Sequence, residues 1–213
     1  MITNEKKAKG FTLLELLIVI AILAILSVAL VLILNPAETL RKGRDSQRMS
    51  DLATLKTAIG LYMTTVTTPI LDNSANTLCV GGIGNDSIFY SQAGITAATV
   101  ATGALTVVSS ASTGIDSTGW LPIDFRDISG GSPISNLPLD PVNTVALPSA
   151  PANTDLVYRY ACNSDLTFEL NAKLESTTFT VDDNKALNDG GNNSTLFEVG
   201  SNLTILPDQT QIF

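Results

Sequence analysis

The chain has 213 residues, a formal net charge of −8 and no histidine. An acidic balance argues against a dedicated nucleic-acid binder, and the lack of histidine excludes His-dependent triads, His-ligated metals and the usual general base. Two cysteines cannot build a structural zinc site by themselves. Only 15% of the residues are charged, which suits an exported domain better than a cytosolic enzyme.

The chain opens with a basic leader followed by a long apolar run. Three lysines precede Gly10, and segment 11–34 contains one charged residue, Glu15. At about 1.5 Å per residue a helix over this segment is roughly 36 Å long, enough to cross a bilayer core of about 30 Å. The run is longer, and its end bulkier, than a cleaved secretory signal requires. We predict a membrane-spanning helix.

Glu15 is not explained by a plain membrane anchor. A carboxylate in hydrocarbon is costly unless it is paired or protonated, so its presence there indicates a function. The alternative is that the side chain reaches the membrane surface from its place near the helix end.

The residues from Lys9 to Glu15, KGFTLLE, resemble the class III leader junction of type IV pilins and pseudopilins. The resemblance is specific over residues 6–34 and looser beyond them. It implies that a prepilin peptidase cuts after Gly10 and that Phe11 is then N-methylated. It also implies that segment 11–34 is first a membrane anchor and later the core of a filament. There, Glu15 would meet the N-terminal amine of a neighbouring subunit.

The resemblance also implies where the protein resides and what it contacts. It predicts a single-pass protein of the cytoplasmic membrane, with its N-terminus inside and its C-terminus outside, that later enters an extracellular filament. Its partners would be identical subunits, the prepilin peptidase and methyltransferase, and an inner-membrane assembly platform, without a dedicated nucleic-acid site. Charge counting alone leaves the orientation open, because basic residues also follow the span: Arg41, Lys42, Arg44 and Arg48.

Asn35 and Pro36 interrupt the helical pattern after the apolar run. Asn35 suits an N-cap, Pro36 the first helical position and Glu38 the third, so that a new helix begins here. Alternatively one continuous helix kinks at Pro36. We predict a kink or a short melted segment within 33–37.

Segment 35–66 has the pattern of an amphipathic helix. Its apolar residues recur at helical spacing and should pack under a sheet: Met49, Leu52, Leu55, Ile59, Tyr62 and Val66. Asp45, Arg48 and Asp51 stand at i,i+3 spacing. We predict that they lie on the other face, either solvated or paired with neighbouring subunits.

The remaining segment, 67–213, is expected to form a globular head. The resemblance implies that residues 67–119 form a variable connection. Their sequence predicts short strands near 87–90 and 104–108 and a turn at 81–84. Residues 120–213 should hold the sheet, with a hairpin over 156–175 and further strands near 179–181 and 203–206. The predicted fold class is α+β, the pilin fold: a long N-terminal helix packed under a small antiparallel sheet.

Two further sites are predicted in the head. Cys79 and Cys162 should form one disulfide in an exported domain, with two free buried thiols as the alternative. Segment 181–193 is rich in oxygen side chains, and resemblance to major pseudopilins implies a calcium ion on Asp182, Asp183 or Asp189. The alternative is a polar surface turn.

These features predict a structural subunit rather than an enzyme. The resemblance implies a type IV pilin that polymerises into a surface filament for adhesion, motility or DNA uptake. A major pseudopilin of a type II secretion system is the nearest alternative, favoured by the turn Pro138-Leu139-Asp140-Pro141. The length and the cysteine pair favour the pilin. A membrane-anchored exported binding protein is the alternative from another class.

Overall fold

A computed structural model describes residues 10–80, 87–95, 106–149 and 151–206 of the chain. Residues 1–9 of the predicted leader, the predicted turn at 81–84 and the start of the predicted strand at 104–108 lie outside these residues. The chain divides into two compact units, Met1–Leu40 and Arg41–Phe213.

The first unit contains helix α1, Leu13–Leu34. Thr12 caps its N-terminus, and its side chains are apolar on every side rather than along one stripe. A helix that buries one face against a domain carries polar residues on the other face, whereas this one does not. By length and composition α1 can cross a membrane.

Asn35 separates α1 from helix α2, Pro36–Thr65. Its backbone is left-handed, with φ 37° and ψ 70°, a conformation that asparagine tolerates better than most residues. Its side-chain Oδ1 accepts from the Glu38 N–H at 3.4 Å, and its carbonyl accepts from the Thr39 N–H at 3.2 Å. The interruption predicted within 33–37 is therefore confirmed as a single residue that ends one helix and caps the next, with Pro36 at the first helical position.

The second unit combines α2 from Arg41 onward with a five-stranded sheet in the order β2-β1-β3-β4-β5. The strands are β1 Ser87–Tyr90, β2 Thr106–Ser109, β3 Tyr158–Cys162, β4 Phe168–Ala172 and β5 Phe197–Gly200. All neighbouring pairs are antiparallel except β1 with β2, which is parallel. The α+β prediction is confirmed, with one parallel pair at an edge of the sheet.

The sheet is covered on both faces. Alternate residues of β3 and β4, such as Tyr160 and Leu170, belong to one core with Leu52, Leu55 and Ile59 of α2. The other face packs in a second cluster: Ile88, Tyr90, Ile95, Val157, Ala161, Leu196 and Leu206. Burial on both sides explains why every residue of β1, β3 and β4 is buried, although polar and apolar residues alternate in the hairpin strands.

Two predicted strands are wrong, and one strand was missed. Residues 178–182 form a short π-helix instead of a strand, with the Asp183 N–H donating to the Thr178 carbonyl at 2.9 Å. Residues 203–206 are not a strand, because the N–H groups of Ile205 and Leu206 donate to a Glu169 carboxylate oxygen, each at 2.9 Å. The edge strand is β5 instead. Its four residues are too few for an alternation of polar and apolar residues to be recognised in the sequence.

The predicted disulfide is confirmed. Cys79 and Cys162 are joined with a Cα–Cα separation of 4.8 Å, and both are buried in the core under α2. The bond closes a loop with a sequence separation of 83 residues, for which the chain-entropy model gives about 4.5 kcal/mol of stabilisation. It fixes the connection that follows α2 to the end of β3, where the Val80 N–H also donates to the Cys162 carbonyl at 2.8 Å.

A pair of buried glutamates holds the last described segment against the sheet. Glu169 on β4 accepts from the backbone of Ile205 and Leu206, and Glu198 on β5 accepts from the Asn193 N–H at 3.0 Å. The remaining oxygen of each carboxyl is buried without a hydrogen-bond partner among the described residues, a setting that favours the protonated acid. Burial, followed by the neighbouring Glu198, raises the pKa of Glu169 to about 9.

This pair predicts a pH dependence of stability. Because the folded Glu169 keeps its proton until pH about 9 and the unfolded one releases it near 4.5, stability falls as the pH rises between these values. Glu169→Gln keeps an acceptor for Ile205 and can donate to Glu198. We expect the variant to melt at least about 2 °C above the parent protein at pH 8 and level with it near pH 4.5.

The measurement is thermal unfolding followed by circular dichroism at several pH values. Asp127→Asn replaces an exposed acid and is the control. The difference between its melting temperature and that of the parent protein should not change with pH. A Glu169→Gln protein that is less stable than the parent at pH 8 would contradict the raised pKa of Glu169.

Candidate assembly site

The N-terminus of α1 is built from the residues that the sequence analysis selected. Thr12 has extended backbone angles, and its Oγ1 accepts from the Glu15 N–H at 3.2 Å. In return Glu15 Oε2 accepts from the Thr12 N–H and from the Thr12 hydroxyl, both at 3.2 Å. This capping box satisfies backbone N–H groups that the first helical turn leaves open, and it places a carboxylate at the positive end of the helix dipole.

Gly10 and Phe11 are exposed immediately before this capping box. A Cβ added to Gly10 would meet no atom within 4 Å, so packing within the subunit does not require glycine at this position. Phe11 precedes Glu15 by four residues, and segment 11–34 contains no basic residue. An ammonium created at Phe11 would therefore be the first cation within this apolar segment, one helical turn from its sole carboxylate.

The three predicted calcium ligands are not gathered at one point. Asp182 is exposed at the end of the π-helix, and Asp183 pairs with Lys185 at 2.5 Å. Asp189 accepts from the N–H groups of Gly191 and Glu198, at 2.9 and 2.8 Å. Within the described ranges, no group of three or more His, Cys, Asp or Glu side chains is placed to hold a metal ion.

Sequence reasoning missed a buried ion cluster in the head. The fully buried Arg48 binds Asp140 through two bonds of 2.6 and 2.9 Å, Asp45 at 2.8 Å and Glu175 at 2.7 Å. Glu175 also binds Arg44 at 2.8 and 3.1 Å. Burial opposes the charge of Arg48, but the bonds to the three carboxylates outweigh it and raise its pKa above the ordinary value.

Two of the three carboxylates of this cluster also organise backbone. Asp45 accepts from the N–H groups of Glu175 and Ser176, directly after β4, at 2.7 to 3.1 Å. Asp140 accepts from the N–H groups of Val142 and Asn143 at 2.9 and 3.2 Å. One arginine on α2 thus fixes both the end of β4 and the proline-rich turn 138–141.

The prediction that Asp45 and Arg48 lie on a solvated or intersubunit face is therefore wrong. Both are fully buried, whereas Met49, which began the predicted stripe, is half-buried. The buried stripe runs through positions 45, 48, 52, 55, 59 and 62. Extending the spacing of the apolar stripe toward the N-terminus, with charged residues included, would have predicted that Arg48 and Asp45 are buried.

Comparison with known proteins identifies the N-terminal segment. Residues 6–31 match the prokaryotic N-terminal methylation motif. The match covers the basic leader, the Gly10–Phe11 junction, Glu15 and most of α1. The chain therefore carries an N-terminal methylation motif with a leader of the class III prepilin type, which is typical of type IV pilins and pseudopilins. Searches among curated proteins and solved structures found no match.

For the head, we predict that Arg48 is indispensable for stability. Arg48→Met removes the cation and leaves the buried Asp45 and Asp140 without the guanidinium that both of them bind. Breaking a buried ion pair on one side costs about 3–5 kcal/mol. We expect a loss of that size in chemical denaturation of the full chain in detergent, with α1 still helical.

Arg126→Met is the matched control, because Arg126 is exposed and pairs with Asp124 at the surface. Surface ion pairs contribute about 0–1 kcal/mol. Equal losses from the two substitutions would show that the buried cluster does not stabilise the fold in the way described.

Proposed function

We propose that this chain is a structural subunit that polymerises into a type IV pilus filament at the cell surface. The observation that carries the proposal is α1, a helix apolar on every side with one carboxylate, Glu15, in its first turn. It directly follows a leader that matches the N-terminal methylation motif.

The proposed assembly step pairs charges between subunits. Removal of residues 1–10 creates an ammonium at Phe11, which methylation keeps basic. In the filament core this cation meets Glu15 of a neighbouring subunit, where the low dielectric penalises each unpaired charge. In the free subunit Thr12 holds Glu15 in its capping box, so the carboxylate has partners before assembly.

The parts of the chain then have distinct tasks. Segment 11–34 anchors the subunit in the cytoplasmic membrane, N-terminus inside, and later forms the filament core with identical subunits. Segment 35–66 continues as the amphipathic helix, and 67–213 forms the exposed head. The prepilin peptidase and an inner-membrane assembly platform act on the chain, and the filament serves adhesion, motility or DNA uptake.

A major pseudopilin of a type II secretion system is the second candidate. It is favoured by the turn 138–141, whose Asp140 is the bidentate partner of Arg48. The two candidates share processing and helix assembly, and they differ in whether the filament extends beyond the cell. Electron microscopy of sheared surface material, followed by mass spectrometry of the filaments, distinguishes them.

We predict that the mature protein begins at N-methyl-Phe11. Gly10→Val should block cleavage, because it adds bulk at the scissile position, yet leave the fold intact, since an added Cβ meets no neighbour. Intact-mass analysis of membrane-pool and assembled protein measures both effects. Retention of residues 1–10 in assembled wild-type protein, or normal processing of Gly10→Val, would contradict this assignment.

Glu15 separates a filament subunit from a simple anchor, including an anchored binding protein. Glu15→Leu should improve membrane insertion by about 2–3 kcal/mol, because it removes a charge from the apolar segment. We nevertheless expect the mutant to lose its leader, accumulate in the membrane and form few or no filaments, and Glu15→Gln should behave similarly.

The measurement is the filament yield relative to the membrane pool. Glu38→Gln, which removes a carboxylate just beyond the apolar segment, serves as the control and should assemble normally. Wild-type filament yield from Glu15→Leu would refute charge pairing as the assembly device.

We also propose, from the resemblance to major pseudopilins, that segment 181–193 binds calcium through Asp182, Asp183 or Asp189. Ion binding to the folded state would raise the melting temperature, so chelation should lower it and added calcium should restore it. The Asp189→Asn variant should lose this response, whereas Asp165→Asn, in the β3–β4 turn, should keep it. An unchanged melting temperature of the wild-type protein on chelation would assign the segment to an ordinary surface turn.

A further inference from the structure

An open cleft in the head collects an unusual share of the basic residues of this acidic chain. Its volume is about 450 Å³, and its lining consists of Arg41, Thr154, Leu156, Lys173, Leu174, Glu175 and Thr180. Of the 12 lysines and arginines in the sequence, three precede Gly10. Four of the others either line the cleft or bind Glu175 on its wall: Arg41, Lys173, Arg44 and Arg48.

The one carboxylate of the cleft does not make it acidic. Glu175 is shared by two guanidinium groups, with Arg44 Nε at 2.8 Å and Arg48 Nη1 at 2.7 Å. Burial raises the pKa of Glu175, and the bonds to Arg44 and Arg48 outweigh this and lower it below its ordinary value, so the group stays ionised and fully engaged. Its charge is therefore not available to neutralise the remaining cations.

Lys173 lines the cleft and has no acidic partner among the described residues. It follows β4, is half-buried, and its ammonium donates to the Thr195 carbonyl at 3.0 Å. Among the residues that the structure describes, no carboxylate forms an ion pair with it. Burial, followed by the charge of Arg159, lowers the pKa of Lys173. An anion entering the cleft would offset both effects.

The polar groups around Lys173 suit a phosphate ester. Arg41 supplies a second cation, and Thr154 and Thr180 supply hydroxyl groups, while Leu156 and Leu174 give an apolar wall. The Thr180 hydroxyl donates to the Ser176 carbonyl at 2.7 Å, which leaves Thr154 as the hydroxyl donor toward a ligand. The volume lies within the range of small-molecule sites and accommodates a glycerophosphate group.

The position of Arg41 in the chain indicates where such an anion would come from. Arg41 follows the last residue of α1 by seven positions, and seven residues reach at most about 25 Å. When α1 spans a membrane, the length of this connection therefore limits how far Arg41 can be from the lipid head groups at the end of α1. Basic groups in such a position attract anionic lipids, at about 1 kcal/mol each.

We propose that this cleft binds a phosphate-ester anion, supplied by the head group of an anionic phospholipid while the subunit waits in the membrane. The inference rests on the proposed function, because it requires α1 to be membrane-embedded with the head outside. It accounts for the basic residues that follow the span on the translocated side, against the usual charge asymmetry. Arg44 and Arg48 hold Glu175, and Lys173 is the cation assigned to the ligand.

The test uses the full chain in detergent micelles, titrated with dioctanoyl phosphatidylglycerol and, in parallel, with dioctanoyl phosphatidylcholine. Calorimetry should show preferential binding of the anionic lipid. Lys173→Met should weaken that binding about fivefold to tenfold, and Lys173→Arg should restore most of it. Lys56→Met removes the same charge from an exposed position of α2 outside the cleft lining and should have little effect.

A third titration, with glycerol 3-phosphate, identifies the source of the anion. Binding that depends on Lys173 but needs no acyl chains would support the cleft and assign it to soluble phosphate esters rather than lipid. Equal binding of the two lipids by the wild-type chain, or equal losses from Lys173→Met and Lys56→Met, would overturn the proposal. Because none of these measurements requires filaments, a failure of the proposed assembly function would appear separately, as absent filaments with lipid binding intact.

Discussion

The head depends on one arginine that has no access to solvent. Arg48 binds carboxylates from three parts of the chain that are far apart in sequence, and each of those carboxylates except Glu175 also holds two backbone N–H groups. Such a cluster is costly to desolvate, and apolar residues of similar volume often give equal or greater stability. Its value lies in specificity, because only one arrangement of α2, the end of β4 and the turn 138–141 satisfies every member.

The N-terminal unit obeys the opposite constraint. Nothing within α1 requires burial against the head, since its side chains are apolar all round and its polar backbone is satisfied internally. Such a helix is stable in lipid or among other apolar helices, whereas in water its exposed apolar surface would promote aggregation. The sequence places its one carboxylate where the capping box with Thr12 can hold it, in the first turn, rather than deeper in the apolar run.

The sequence predicted those features that have a local cause. The break at Asn35 follows from Asn-Pro chemistry, the β3–β4 hairpin from its alternation and polar turn, and the disulfide from the count of two cysteines in an exported context. The leader was recognisable because its residues are adjacent. The errors concern long-range partners. Asp45 and Arg48 look like surface charges until Asp140 and Glu175 are brought to them, 92 and 127 positions away in the chain for Arg48.

The same reasoning explains the strand errors. The apolar pattern of 203–206 is real, and these residues do pack on the sheet, with Leu206 buried in the second cluster. Their backbone is satisfied by the carboxylate of Glu169 instead of a neighbouring strand. A sequence pattern reports which residues become buried, but not which acceptor their N–H groups find.

The dimensions of the sheet bear on how such a subunit can be stored and packed safely. One outer strand, β5, has four residues, and the described part of the other, β2, also has four. An exposed strand edge is a template for adding another chain, and its hazard grows with its length and flatness. Subunits crowded together in a membrane or a fibre would meet edge to edge many times. Because these edges are short, pairing of a strand in one head with a strand in another is weak compared with packing between helices. The helices would therefore determine the geometry of any polymer.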